Sequence, residues 1–147
     1  MRPSDAVDRA MAALIAGTER LGPPRLAGRD PVAGKDVPAL YFGTTRMNNS
    51  FDLVDQVARE VGGAASLFVK SGNEFVRVST NAKTGDGSRA LGVLLDPKGP
   101  AIERIRRGEA YYGESFVKDI AYIAGYEPIR DAAGEVIGIY ATGYVKR

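Results

Sequence analysis

Apolar residues recur at helical spacing near the start of the chain, where Val7, Met11, Leu14, Ile15 and Thr18 fall on one face between Ser4 and Leu21. The spacing predicts a helix, with Ser4 placed to cap its first turn. Gly22-Pro23-Pro24 ends it, and the Pro and Gly content through Lys35 predicts a connecting loop. Val37 to Phe42 reads as a short strand that Pro38 assigns to an edge. A second helix is predicted over Phe51 to Val61, whose Phe51, Val54, Val57, Ala58 and Val61 share a face. Asn49 or Ser50 is placed to cap it, and Gly62-Gly63 ends it.

The period then changes from helical to alternating. Ala65 to Lys70 and Glu74 to Thr80 form a predicted β-hairpin around Ser71-Gly72-Asn73, followed by a polar loop from Ala82 to Ser88. Asp96-Pro97 is placed to open a short helix through Ala101, Ile102 and Ile105 that closes near Arg107-Gly108. Three more strands follow over Ala110 to Val117, Ala121 to Arg130 and Glu135 to Tyr144, the last two joined by Asp131-Ala132-Ala133-Gly134. The sum is an α+β chain with about five antiparallel strands in one sheet. Residues 1–35 supply an N-terminal helix and loop, and residues 36–147 supply the main domain.

Composition narrows what such a domain does. A chain of 147 residues, 44% hydrophobic and 26% charged, suits one globular domain. It lacks an apolar run of roughly 20 residues and a signal-peptide pattern, so it reads as a soluble chain. With no Cys and no His, thiolate zinc sites, iron–sulfur clusters, Ser-His-Asp triads and Cys nucleophiles are excluded. Twenty basic against 18 acidic residues make a mixed surface, which argues against nucleic acid. Arg104, Arg106 and Arg107 suit the end of a helix dipole. Gly85-Asp86-Gly87-Ser88 lacks the lysine of a phosphate-binding loop. Nothing singles out Lys83 or Lys98 as a Schiff-base amine. No catalytic residue, metal or cofactor is therefore expected.

The candidate chemistry is that of binding. Alternation puts Phe75, Arg77 and Ser79 on one face of their strand and Val76, Val78 and Thr80 on the other. A guanidinium among such neighbours carries five donors and a permanent charge, so burial calls for a carboxylate from the protein or from a ligand. Solvent or an ordinary ion pair satisfies a strand arginine equally well. Tyrosines gather late in the chain, and Tyr122, Ala124 and Tyr126 share a strand face where two rings and two hydroxyls line a small cavity or simply fill core. Lys118 is a second candidate for an anion, beside Asp119 near a turn.

Several blocks occur in a familiar order: LVDQV at Leu53 to Val57, FVRVSTN at Phe75 to Asn81, DGSRALGVLLDPKGPA at Asp86 to Ala101, GEAYYGE at Gly108 to Glu114, and YIAGYEPIRDAAGEVIGIYATGY at Tyr122 to Tyr144. Over roughly Asp36 to Val145 the chain resembles a single Cache domain, of the type 2-like or Cache 3/Cache 2 fusion kind found in methyl-accepting chemotaxis proteins. The resemblance implies an extracytoplasmic sensor with a long N-terminal helix and a PAS-like antiparallel sheet of about five strands. It also implies a small-molecule ligand, commonly an organic acid, with membrane attachment only through segments absent from this sequence. On that analogy Arg77 faces a carboxylate, Phe68 and Phe75 wall the cavity, Tyr112, Tyr122 and Tyr126 contribute rings and hydroxyls, and Ser79 supports them. A competing expectation is an interaction module of the same fold, with a filled cavity and a homodimer formed through the N-terminal helix. A small enzyme using Tyr or Lys as acid or base is a third.

Overall fold

A computed structural model describes residues 3–146 of the chain. Helix α1 (Pro3–Leu21) leads into strands β1 (Pro24–Val32), β2 (Lys35–Phe42) and β3 (Thr45–Arg46), then helix α2 (Asp52–Val61). Strands β4 (Ala64–Ser71) and β5 (Glu74–Thr80) form a hairpin. Helix α3 (Pro100–Arg106) precedes β6 (Tyr111–Val117), β7 (Ile120–Arg130) and β8 (Val136–Val145). All pairings are antiparallel, in a three-stranded sheet ordered β1-β2-β3 and a five-stranded sheet ordered β5-β4-β8-β7-β6.

The larger sheet is apolar on both faces, as alternation along β4 illustrates. Leu67 and Val69 join Leu14, Phe42 and Val54 in a core shared with α1, α2 and the small sheet. Phe68 points the other way, into a second core with Ile102 and Ile105 of α3 and with Ala90 and Leu95 from the long connection after β5. That connection also covers the exposed edge of β5. The Gly92 amide donates to the Arg77 carbonyl (2.8 Å), the Arg77 amide to the Val93 carbonyl (3.3 Å) and the Leu95 amide to the Phe75 carbonyl (3.0 Å). Unpaired edge groups are thereby satisfied within the chain.

The five strands of the main sheet fall where alternation places them, and the structure adds a second sheet. The segment expected as a loop through Lys35 is strand β1, because its prolines sit on an outer strand where a missing donor leaves no partner unsatisfied. Pro38 lies in β2, the central strand of the small sheet, although β3 pairs only with Tyr41 and Phe42. Beyond β3, the Asn48 side chain stands in for a strand: its Oδ1 accepts from the Leu40 amide (2.9 Å) and its Nδ2 donates to the Pro38 carbonyl (3.0 Å). Ser4 lies inside the first turn of α1 rather than at its cap. Phe51 is the N-cap of α2, with no side-chain capping bond, so neither Asn49 nor Ser50 has that role. Asp96 closes a turn, its Oδ1 accepting from the Lys98 amide (2.9 Å), and α3 starts later at Pro100.

One ion pair ties the connection after β5 back to α2. Arg89 Nη1 and Nη2 donate to Asp55 Oδ1 and Oδ2 at 2.8 and 2.9 Å, Nη1 also reaches the Thr80 carbonyl (2.9 Å), and the guanidinium lies 4.2 Å from the centroid of the Phe51 ring. The hydrogen bond from Arg89 holds the Asp55 carboxyl below its usual 3.8, outweighing desolvation. A depressed folded-state pKa contributes stability that is complete above the unfolded value and is lost as pH falls through the folded one. Asp55→Asn is therefore expected to be less stable than wild type near neutral pH, with the gap closing as pH drops below 3.8. Urea titrations across that range check it, and a gap independent of pH would place the stabilisation elsewhere.

Candidate functional site

The site is built around Arg77, whose orientation depends on an irregularity in β5. Leu67 pairs with Ser79 and Phe68 with Arg77, leaving Val78 as an extra residue in a β-bulge. Phe75 and Arg77 face the α3 side. Beyond the bulge the faces exchange: the Ser79 hydroxyl donates to the Ser50 carbonyl near α2, while Thr80 turns to meet Ser66 Oγ at 2.7 Å. The Thr80 hydroxyl oxygen also accepts from the Ala82 amide (2.9 Å), which fixes the start of the covering connection.

Arg77 is only 3% exposed, and its Nε and Nη1 are buried without a hydrogen-bond partner. No ion pair among the described residues includes it. The protein supplies a ring in place of a counter-ion: the guanidinium lies 4.6 Å from the centroid of Phe68. Burial pushes its pKa down, and the hydroxyls of Tyr126 and Tyr122 act in the opposite sense. An arginine keeps its proton regardless, so the fold holds a desolvated positive charge at a cost of several kcal/mol.

Arg77 lines a cavity of about 20 Å³, room for roughly one water. Tyr122 and Tyr126 wall it, with Ala124 between them and Ala141 and Gly143 on the neighbouring β8. Tyr126 Oη is fixed by Ser115 Oγ at 2.9 Å, and its ring centroid lies 6.5 Å from that of Phe68. Burial raises the Tyr122 pKa despite Arg77, so this hydroxyl remains a donor at neutral pH. A second hollow of about 400 Å³ lies directly outside and shares Ala64, Ala82, Tyr122 and Gly143 with the inner one.

Of the residues nominated from sequence, Arg77, Tyr122 and Tyr126 meet at the cavity, and Phe68 supports Arg77 from beneath. Phe75 belongs to the same core but does not line the space. Ser79 points to the other face of the sheet because of the bulge. Tyr112 is 43% exposed, donates to Glu127 Oε2 (2.7 Å), and packs over Gly125 beside Val7 of α1, away from the cavity. Lys118 occupies the β6–β7 turn with φ 52°, outside the lining. Ser66 and Thr142 were not anticipated. Of the small residues only Ala124 was, between its two tyrosines; Ala64, Ala82, Ala141 and Gly143 carry no chemical signal, yet they line the cavity too.

Residues 25–147 match the family described as the Cache 3/Cache 2 fusion domain. No curated protein matches the chain.

Proposed function

We propose that this chain, which belongs to the Cache 3/Cache 2 fusion family, senses a short-chain carboxylate that Arg77 holds in the cavity between the five-stranded sheet and its covering connection. Domains of this family are sensory modules, typically extracellular. One observation carries the choice of ligand: Arg77 is buried, charged and without a counter-ion. A carboxylate at either edge of the guanidinium supplies the missing charge and pairs an orphaned donor, and such charge-assisted bonds are about twice as strong as neutral ones. Tyr122 is placed to donate a further hydrogen bond.

Occupancy has a path to the N-terminal helix. Thr142 borders the cavity, and its Oγ1 donates to the Val7 carbonyl of α1 at 3.1 Å. A ligand that binds one arrangement of β8 and α1 better than another shifts the population by its differential affinity. Coupled to a membrane-borne output module, that shift would drive chemotaxis or related transmembrane signalling. No helix among the described residues is long and apolar enough to cross a membrane.

A thermal-shift screen tests the ligand class. A cognate acid at about 100 times its Kd adds roughly 2.7 kcal/mol, which raises the midpoint by several degrees. Carboxylates are expected to produce that shift and amines of the same skeleton none. A panel in which only cations or neutral compounds stabilise the protein would overturn the reading.

A further inference from the structure

We propose that the ligand is two-ended: one carboxylate enters the inner cavity at Arg77, the chain passes Tyr122, and a second anionic group reaches Lys83 in the outer hollow. The inference rests on Arg77 being the anchor for the first carboxylate. Volume leads to it. The inner cavity, at about 20 Å³, has no room for a whole organic acid, whereas the outer hollow offers about 400 Å³. The two share four wall residues, so a head bound at Arg77 places its tail in the outer hollow. Of the shared four, Tyr122 has the largest side chain and belongs to the walls of both spaces.

The outer hollow supplies a single cationic side chain, Lys83, among apolar walls that include Ile120 and Val145. Lys83 follows Ala82, a shared wall residue, so its position is fixed relative to the inner cavity. The loop that carries it is built internally. The Thr84 hydroxyl and the Ser88 hydroxyl (2.6 Å) and amide (3.0 Å) all donate to Asp86 Oδ1, and the Thr84 amide donates to the Ser88 carbonyl (2.9 Å). Those bonds hold the Asp86 carboxyl well below the usual range. Asp55, which also feels the charge of Lys83, is engaged through both oxygens by Arg89. No ion pair among the described residues includes Lys83. The two nearby acids are thus committed to the fold, and the ammonium remains available to an incoming anion.

Isothermal titration of the full chain with malonate, succinate, glutarate and adipate, beside propionate, butyrate, valerate and caproate, tests this. The best dicarboxylate is expected to bind about tenfold tighter than the monocarboxylate of similar length, the scale of one charge-assisted contact. In Lys83→Met that advantage, read as the ratio of the two affinities within the variant, should shrink to about twofold or less, and the fold should tolerate the change at an exposed side chain. Equal affinity of the two classes for wild type, or an advantage that survives in Lys83→Met, overturns the two-ended ligand. If monocarboxylates still bind and depend on Arg77, the sensor reading stands alone. If no acid binds, or binding ignores Arg77, both fail.

Discussion

Arg77→Met is expected to yield a protein that is more stable than wild type and unresponsive to carboxylates. The substitution keeps an unbranched side chain of comparable length while removing a buried charge together with its own two unpaired donors, Nε and Nη1. It forfeits the stacking on Phe68, worth about 2 kcal/mol when desolvated, and relieves a desolvation cost of several kcal/mol. The expected balance is a gain of about 1–3 kcal/mol, or roughly 4 °C in the melting midpoint per kcal/mol. Carboxylate affinity should fall by about 2 kcal/mol or more, close to 30-fold. The opposite signs are the diagnostic. Structural residues lose stability when truncated, whereas a charge kept for a ligand costs stability until the ligand arrives. Chemical denaturation and calorimetry on the same preparation separate the two effects. A variant that is destabilised by more than about 1 kcal/mol would mean that Arg77 is already satisfied within the fold. Arg77→Lys refines the result: it keeps the charge but loses the planar fork, so it should bind acids more weakly than wild type without the stability gained by Met.

How far the sequence leads toward this site depends on what each residue type signals. Arg77 is conspicuous because a permanent charge in an apolar strand demands an explanation, and Tyr122 and Tyr126 stand two apart on either side of Ala124, a spacing that keeps them on one face of β7. Ser79 is misplaced by the same alternation, since the bulge at Val78 has no glycine or other marker in the sequence. Tyr112 fails for another reason: alternation fixes its face relative to its neighbours but not which face α1 covers, and α1 lies on its side. The segment from Pro24 to Val32 reads as a loop because its prolines are strand breakers in general, and it is a strand because β1 needs a partner on one side only. The closure of the cavity is not legible at all. It depends on the register that brings Ala141 and Gly143 of β8 beside Tyr126 and Ala124 of β7, and on the long connection that folds over them.

Gly138→Ala is expected to cause a large loss of stability, about 3 kcal/mol or more. Gly138 pairs with Val69 at the end of the β4–β8 ladder and with Ile129 of β7, and a Cβ there would stand 2.2 Å from the Phe68 carbonyl oxygen and 3.4 Å from Ile129 Cδ1. The first obstacle is backbone, so relief requires β4 to move at the residue that supports Arg77. Gly134 in the β7–β8 turn provides the control. It has φ +83° and open space around the added carbon, so Gly134→Ala carries only the left-handed backbone penalty of about 1–2 kcal/mol. Urea denaturation of the two variants therefore distinguishes collision from backbone strain within one hairpin. Equal losses would show that β8 does not depend on the close approach to Phe68. A larger loss at Gly138, accompanied by weaker carboxylate binding in the molecules that still fold, would show that this approach also sets the position of the ring under Arg77. The tight packing of β8 on β4 would then be a condition of binding as well as of folding, because the guanidinium is only as well placed as the ring beneath it.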